Sequence, residues 1–361
     1  MAEQAERRTL PAGTEFDGRY RLRERLGGGG MGDVYLADEP RLERRCAVKV
    51  LHRDLAAQRE QVERFLREAR TMARLAHPNI VNIYAFGEDP AGVYFAMELL
   101  AGEDLHARIR ARDERPYSTM DAVVWGVEIA RAVGVVHKAG IIHRDLKTSN
   151  IFLAESELGE TIKLLDFGIA RPIEGSDLTA TGVSLGTPSY MSPEQILSQP
   201  LDHRTDIYSL GVLLFKAVTG RMPFLGSQLE ISVQHCTVAP PRPSAVAPEA
   251  GISRELDEVI LKAMAKQPGD RHASMKAFEQ ALLGVLNDEQ PTFARAIRTR
   301  RPTVNLGEAR PAVDQGESVA LTMPKLAPPP TPPRSARTGW LAVTAVLMLG
   351  VLVTLVTLLW R

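Results

Sequence analysis

The chain has 361 residues, with 44 basic and 44 acidic side chains and a formal net charge of zero. This balance gives no sign of the basic surface that nucleic acid binding needs, so no nucleic acid partner is predicted. The two cysteines lie far apart in the sequence, which argues against a disulfide framework or a cysteine-based metal site and fits a reducing compartment.

The amino-terminal segment, MAEQAERRTLPAG, has no apolar run after its charged residues, so it is not a secretory signal. We predict that residues 1–17 are disordered and that residues 18–285, which are dense in periodic apolar segments, form a globular domain. Strand patterns dominate up to Gly102, apart from one amphipathic helix, and helical patterns dominate after it. A small strand-rich lobe followed by a large helical lobe predicts a cleft between them.

A glycine-rich stretch, LGGGGMGDVY, lies between the first two predicted strands. Glycine is unfavourable inside strands, so this is either a flexible hairpin or a place where another group comes very close to the backbone. Gly27, Gly29 and Gly32 have the G-x-G-x-x-G spacing that Rossmann folds share, but here the motif joins two strands rather than a strand and a helix.

Lys49 lies in the next predicted strand, within the apolar sequence AVKV. A lysine in such a strand is unfavourable unless it is paired or reaches water from an edge of the sheet. Glu68, on the amphipathic helix REQVERFLREARTMARLA, is an available partner.

Two polar constellations follow in the helical part of the chain. The first is a run of polar side chains inside the apolar context IIHRDLKTSNIFL, and the second is a single carboxylate after the strand pattern IKLL. A carboxylate at the end of a buried strand must be paired, protonated or bound to a metal. The residues are His143, Arg144, Asp145, Lys147, Asn150 and Asp166.

In order and spacing, these motifs resemble those of the Hanks-type (eukaryotic-type) Ser/Thr protein kinases found in bacteria, over residues 20–284. The resemblance implies an α+β, two-lobed protein kinase fold with a small β-rich N-lobe and a large helical C-lobe. It also implies transfer of the ATP γ-phosphoryl group to Ser and Thr of proteins, with Mg²⁺ or Mn²⁺ as the metal. The implied partners are protein substrates and a second copy of the chain for autophosphorylation in trans.

The resemblance also implies an ATP site that combines the glycine-rich loop with strands and a hinge. Backbone N–H groups of the loop would approach the phosphates, and Lys49, paired with Glu68, would hold the α- and β-phosphates. The implied ATP-binding residues are Leu26, Gly27, Gly28, Gly29, Gly30, Met31, Gly32, Asp33, Val34, Ala47, Lys49, Glu68, Met97, Glu98 and Leu100.

Catalytic roles are implied in the same way for the HRDLKTSN and DFG motifs. Asp145 would orient the acceptor hydroxyl and accept its proton, and Lys147 would stabilise the transferring phosphoryl group. Asn150 and Asp166 would hold the metal.

The segment between Asp166 and Glu194 is the implied activation segment. Thr179 and Thr181 are the favoured autophosphorylation sites, and the alternative is that they are polar loop residues with no such role. Thr187, in GTPSYMSPE, is predicted to shape the acceptor site. Glu194 is predicted to pair with Arg271 as a structural ion pair.

Residues 286–337 are rich in proline and arginine and predict a disordered linker. The basic stretch RAIRTRRP in it could instead be attracted to lipid. Residues 338–360 contain no charge and are bracketed by tryptophans, which predicts a membrane-spanning helix rather than a buried core helix. Arg334 and Arg337 precede the run, so we predict a single-pass protein of the inner or cell membrane, with a cytoplasmic kinase domain and an external carboxyl terminus.

Two other interpretations remain. A pseudokinase would use the same fold as a membrane-tethered binding scaffold, but such proteins usually lack one or more of the catalytic residues that this chain retains. A small-molecule kinase would share the catalytic loop and the metal-binding aspartate, but it would lack the long segment that ends at Glu194.

Overall fold

The structure is a computed structural model of the chain, and it describes residues 9–113, 115–156, 159–166 and 188–289. These residues form a strand-rich N-lobe followed by a helical C-lobe, as the sequence predicts. The N-lobe holds an antiparallel sheet of six strands in the order β1-β2-β3-β4-β6-β5. Its strands are β1 (Glu15–Phe16), β2 (Tyr20–Gly28), β3 (Gly32–Glu39), β4 (Arg44–Leu51), β5 (Ile83–Asp89) and β6 (Gly92–Met97).

The two faces of this sheet are both covered by apolar side chains. One face carries a separate core that includes Tyr20, Tyr35 and Tyr94. The helices on the N-lobe are α1 (Arg53–Ala56) and α2 (Arg59–Ala73). Helix α2 buries the apolar stripe that its sequence predicts, and the Phe65 ring lies 5.0 Å from the Phe95 ring of β6. The position of α2 against the sheet is what places Glu68 in the N-lobe interior.

The start of the domain differs from the prediction. Residues 1–17 were predicted to be disordered, but Glu15–Phe16 form β1 and the Phe16 side chain is fully buried. Backbone bonds also join Gly13 N to Leu22 O and Leu22 N to Thr14 O, each at 2.8 Å. The prediction was wrong for this part because a two-residue strand is too short to show periodicity. Residues 1–8 lie outside the described part of the chain.

The C-lobe consists mainly of helices around a continuous apolar core. A small sheet in the order β7-β8-β9 lies at its start and carries the segments that flank the catalytic residues. The strands are β7 (Gly102–Asp104), β8 (Ile151–Ser156) and β9 (Gly159–Leu164). The helices are α3 (Leu105–Ala111), α4 (Thr119–Lys138), α5 (Pro193–Ile196), α6 (Arg204–Thr219), α7 (Gln228–Thr237), α8 (Pro243–Val246), α9 (Arg254–Ala263) and α10 (Met275–Glu289).

Local sequence chemistry sets the ends of the C-lobe helices. The Ser118 hydroxyl accepts the backbone N–H of Asp121 at the start of α4, and Ser192 forms a reciprocal capping box with Gln195 at the start of α5. Helix α6 ends at Gly220, whose φ of 71° is the left-handed conformation that glycine adopts readily. Helix α6 is buried along almost its whole length, which explains the apolar run LGVLLF at its centre.

The last described helix, α10, extends to Glu289, four residues beyond the predicted end of the domain at residue 285. The rest of the predicted linker and the predicted membrane span lie outside the described residues. Within the described ranges, no helix combines the length and the apolar character needed to cross a bilayer.

Candidate active site

The glycine-rich loop connects β2 to β3 at one end of the N-lobe sheet. Strand β2 ends with Leu26, Gly27 and Gly28. The tip of the loop consists of Gly29, Gly30 and Met31. Strand β3 begins with Gly32, Asp33 and Val34. The Gly29 N–H donates to the Gly32 carbonyl at 2.9 Å, which closes the tip. A Cβ at Gly32 would overlap the Val50 carbonyl oxygen, so close packing onto β4 requires glycine there.

Lys49 lies on β4, opposite Val34 of the loop strand. Its Nζ lies 2.7 Å from Asp166 Oδ2, so the lysine of the N-lobe contacts the carboxylate that follows β9 in the C-lobe. Burial of the ammonium would lower the pKa of Lys49, but the nearby Asp166 and Glu68 carboxylates outweigh it and the pKa lies above its ordinary value. Lys49 is therefore a charged, paired side chain, and its direct partner is Asp166.

Glu68 is 4 % exposed on α2, and its charge acts on Lys49. The direct ion-pair contact of Lys49 is with Asp166, and the predicted ion pair between Lys49 and Glu68 stays a prediction. An unpaired glutamate would be unfavourable at such a position, because burial penalises an isolated charge strongly.

The hinge lies where β6 ends. Ala47 of β4 pairs with Met97, the last residue of β6, so both predicted adenine-site residues lie side by side. Glu98 follows, and its side chain accepts hydrogen bonds from Lys163 Nζ at 2.6 Å and from the Asn82 backbone N–H at 2.8 Å. The Glu98 carboxylate is thus bound within the protein. Leu100 is half-buried against the main core.

The catalytic loop brings together three of the predicted residues. Lys147 Nζ donates to Asp145 Oδ2 at 2.8 Å, and Asn150 Nδ2 donates to the Asp145 carbonyl oxygen at 2.8 Å. The Asp145 backbone N–H in turn donates to His143 Nδ1 at 3.3 Å. Asp145 therefore makes hydrogen bonds through both its carboxylate and its main chain. Its side chain is still 18 % exposed, so a substrate can reach the carboxylate.

Asn150 and Asp166 are brought together by the backbone. Ile151 pairs with Leu164 in the β8–β9 ladder, and the Leu165 N–H donates to the Asn150 carbonyl at 3.0 Å. Because the Asn150 amide nitrogen is used by Asp145, its amide oxygen is the atom left to act as a ligand. An amide oxygen and a carboxylate are the hard donors that Mg²⁺ prefers, so this pair fits the predicted metal.

Asp206 was not predicted as a site residue, yet it anchors the catalytic loop. It is fully buried at the start of α6, and its carboxylate accepts the backbone N–H groups of His143 and Arg144, each at 2.8 Å, and His137 Nε2 at 2.7 Å. Burial alone would raise the pKa of Asp206, but these donors lower it below its ordinary value. The only signal in the sequence is a carboxylate inside an apolar helical pattern, DIYSLGVLLF.

Arg144, directly before Asp145, has a φ of 67°, a left-handed conformation that is uncommon for a residue with a side chain. Its N–H is bound by Asp206, and its carbonyl accepts Gln195 Nε2 of α5 at 2.8 Å. Helices α5 and α6 thus fix the peptide groups on both sides of this strained residue.

Glu194 and Arg271 form the predicted pair through two parallel hydrogen bonds, Nη1–Oε1 at 2.6 Å and Nη2–Oε2 at 2.8 Å. The Thr205 hydroxyl adds a further bond to Glu194 at 2.9 Å. The predicted activation-segment residues Thr179, Thr181 and Thr187 lie outside the described residues, so their placement stays a prediction.

A β-rich lobe with a glycine-rich loop and a lysine, above a helical lobe with an Asp–Lys–Asn loop and a metal-type carboxylate, is the architecture of a nucleotide-dependent phosphotransferase. A sequence profile described as "Protein kinase domain" matches residues 20–283. The chain therefore belongs to the protein kinase family.

Curated relatives include the serine/threonine-protein kinase pkn3 of Myxococcus xanthus, 41 % identical over 74 % of this chain and 50 % of the relative. Serine/threonine-protein kinase PknB of Mycobacterium tuberculosis is 39 % identical over 81 % of this chain and 46 % of the relative. Among solved structures, the Mycobacterium tuberculosis PknI kinase domain aligns with a TM-score of 0.61 and 30 % identity, covering 76 % of this chain and 98 % of that one. The chain spans about half the length of these curated relatives.

Proposed function

We propose that this chain is an active serine/threonine protein kinase that transfers the γ-phosphoryl group of ATP to Ser and Thr hydroxyls of proteins. The observation that carries the proposal is the 2.7 Å contact between Lys49 of the N-lobe and Asp166 of the C-lobe. It places the two charged groups that such a reaction needs at one point of the cleft, beside the loop of Asp145. The names of the curated relatives support the Ser/Thr class.

Asp145 would orient the acceptor hydroxyl and take its proton. The Lys147 ammonium, 2.8 Å from the Asp145 carboxylate, would offset negative charge on the phosphoryl group. Lys49 would hold the phosphates of the nucleotide from the opposite side. The protein forms no covalent bond to the phosphoryl group in this scheme, so catalysis rests on positioning and electrostatics.

Asn150 and Asp166 would hold a divalent cation, and family membership implies the use of ATP with such a metal. A bound Mg²⁺ or Mn²⁺ would neutralise charge on the nucleotide phosphates. The contribution of the chain is to keep Asp166 in reach of both Lys49 and the metal, which the short connection to Asn150 achieves.

Autophosphorylation on Thr179 or Thr181 is part of the proposal. In the described part of the chain, Arg144 Nε is buried and has no hydrogen-bond partner. A buried guanidinium nitrogen without a partner is unfavourable, and a phosphate on the neighbouring segment would supply acceptors for it. Self-association of two copies would allow this transfer in trans.

Membrane anchoring completes the proposal. It rests on the uncharged run of residues 338–360, and the proposed cytoplasmic side of the kinase domain rests on Arg334 and Arg337, which precede that run. The domain would phosphorylate proteins at the membrane surface as part of a signalling pathway.

The test is a transfer assay with the full chain in detergent, ATP labelled on the γ-phosphoryl group, Mg²⁺ and a generic protein substrate. We expect label on Ser and Thr of the substrate and of the chain itself. Asp145→Asn should keep ATP binding and reduce transfer by at least about 1,000-fold, because the proton acceptor is lost. Asp113→Asn is the matched control, since Asp113 is an exposed turn residue with a φ of 52°, which asparagine also adopts.

Near-normal transfer by Asp145→Asn would remove its assigned role. Binding of ATP without any transfer by the unaltered chain would instead favour a binding scaffold over a kinase.

A further inference from the structure

Arg25, Asp33 and His52 form a cluster directly beneath the glycine-rich loop, and we call these three residues the Asp33 clamp. Arg25 lies on β2, Asp33 is the second residue of β3, and His52 follows β4. The Asp33 side chain is only 9 % exposed although it lies next to the loop tip.

Both oxygens of Asp33 face positively charged or ionisable partners. Arg25 donates from Nε and Nη2 to Oδ1 at 3.0 and 2.8 Å, and His52 Nε2 lies 3.4 Å from Oδ2. Burial opposes ionisation, but Arg25, with a smaller contribution from His52, outweighs it and keeps the pKa of Asp33 below its ordinary value. Asp33 is therefore a carboxylate that Arg25 binds through two hydrogen bonds, with the His52 ring close to its other oxygen but not hydrogen-bonded to it.

The clamp connects the two strands that the loop joins, β2 and β3, with the end of the neighbouring strand β4. The His52 backbone N–H donates to the Met31 carbonyl at the tip, at 3.0 Å. Asp33 pairs in register with Gly28, and a Cβ at Gly28 would overlap the Asp33 carboxylate and the Arg25 guanidinium. A larger residue at Gly28 would therefore make the Asp33 or Arg25 side chain shift and would disturb the clamp.

We propose that the Asp33 clamp is a positioning device, which holds the glycine-rich loop in the conformation that receives the nucleotide phosphates. In this assignment Asp33 acts on the loop rather than on the nucleotide. The inference rests on the proposed function, because it assumes that the loop binds ATP phosphates.

The physical reason lies in the entropy of the loop. Five of the six residues from Gly27 to Gly32 are glycine, and a glycine loses more backbone freedom on ordering than any other residue. If the loop is already ordered before ATP binds, less of the binding energy of ATP is used to order the loop. The affinity of the protein for ATP is then higher. The gain applies to ligands that contact the loop through phosphates, whereas adenosine contacts mainly the hinge side of the site.

The experiment measures the dissociation constants of ATP and of adenosine for the full chain in detergent with Mg²⁺. Asp33→Asn and Arg25→Gln should each weaken ATP binding by about tenfold and change adenosine binding by less than about twofold. The double variant should be no weaker than either single variant, since both residues act in one unit.

The signs of the two effects separate the clamp from simple electrostatics. Loss of an acid near the phosphates would by charge alone strengthen ATP binding, whereas loss of a base would weaken it. The clamp predicts that Asp33→Asn and Arg25→Gln both weaken ATP binding. Arg23→Gln, which breaks the exposed cross-strand pair with Asp38 on the same hairpin, is the control and should change neither constant.

Opposite effects of Asp33→Asn and Arg25→Gln, additive effects, or equal losses for ATP and adenosine would each overturn the proposal. A variant that unfolds by circular dichroism is replaced by Arg25→Lys, which keeps the charge but loses the two-point contact and should weaken ATP binding in the same direction. If the unaltered chain binds no ATP, the proposed function and the clamp both fail. If the unaltered chain binds ATP and the variants bind ATP with the same dissociation constant, only the proposal of the clamp fails.

Discussion

The carboxylate of Glu194 and the guanidinium of Arg271 are almost completely withdrawn from solvent, with side-chain exposures of 4 % and 0 %. Arg271 also donates to three backbone carbonyls, those of Ala265, Arg204 and Lys266. A buried pair with its remaining donors satisfied is stable, but removal of one partner leaves an uncompensated charge. This pair therefore fixes α5 to the segment before α10.

At the residue scale, we predict an acid-sensitive contribution of Glu194 to stability. Burial would raise the pKa of Glu194, but Arg271 outweighs it and the pKa lies below the ordinary value of 4.5. Because the folded-state pKa is lowered, this contribution is fully present above pH 4.5 and is lost as the pH falls through the folded-state pKa. Glu194→Gln should lower the free energy of unfolding at pH 7 by about 3–5 kcal/mol.

Urea unfolding of both proteins between pH 7 and pH 3 checks this. The difference in the free energy of unfolding between the unaltered chain and Glu194→Gln should become smaller as the pH falls below 4.5. Glu258→Gln, which breaks an exposed pair with Arg254, is the matched control and should change stability by less than about 1 kcal/mol at every pH. A difference for Glu194→Gln that stays constant with pH would contradict the assignment.

The candidate catalytic residues stand out in the sequence because polar side chains in an apolar context need a reason, and their roles are implied by the family resemblance. Their supporting contacts could not be predicted, since these join residues far apart along the chain. Asp206 binds His143 across 63 positions, and Lys163 binds Glu98 across 65. No spacing rule for helices or strands links residues at such separations, so only the fold reveals them.

At the scale of elements, the catalytic loop depends on the first turn of α6. Asp206 has two carboxylate oxygens for three donors, namely the N–H groups of His143 and Arg144 and the His137 ring. Asparagine at this position has one acceptor oxygen and an NH₂ group that would face a donor. Because Arg144 has a strained backbone, loss of this anchor allows the loop to relax.

We therefore predict that Asp206→Asn lowers kcat by on the order of 100-fold, while the KM for ATP changes little, because Asp145 is misplaced and the ATP site of the N-lobe is not. Steady-state kinetics with varied ATP checks the split between the two parameters. Asp121→Asn, an exposed position in the first turn of α4, is the control and should keep kcat within about twofold. An unchanged kcat for a folded Asp206→Asn variant would exclude this role.

The elements themselves were predictable to different degrees. Helix α2 appears in the sequence as a periodic apolar stripe and was predicted, whereas for the C-lobe only a predominance of helical patterns was predicted. Strand β1 was missed, because its place is set by pairing with β2 and by burial of a single ring, that of Phe16. Short elements of this kind depend on tertiary contacts, which local propensity does not report.

At the scale of the whole molecule, one cleft joins two lobes whose contributions are far apart in sequence. Lys49 and Asp166 are 117 positions apart and meet at 2.7 Å. The family resemblance predicted that both residues belong to the ATP site, but it paired Lys49 with Glu68, and the contact with Asp166 was not predicted. In the proposal, the choice of protein substrates also depends on whether the kinase domain is held at a membrane. Residues 338–360 are the segment on which this membrane anchoring rests.

We predict that this apolar run anchors the chain in a bilayer, because about 20 apolar residues span the hydrocarbon core as a helix. The full chain, expressed in bacteria, should stay in the membrane pellet after an alkaline wash, and a variant without residues 338–361 should appear in the supernatant with its kinase activity intact. Gly350→Arg places a charge at the centre of the run, where insertion becomes unfavourable by about 3 kcal/mol, so it should shift part of the protein to the supernatant. Gly307→Arg makes the same change in the predicted linker and should leave the protein in the pellet. Equal fractionation of the full and the shortened chain would rule out the anchor without affecting the assignment of the kinase domain.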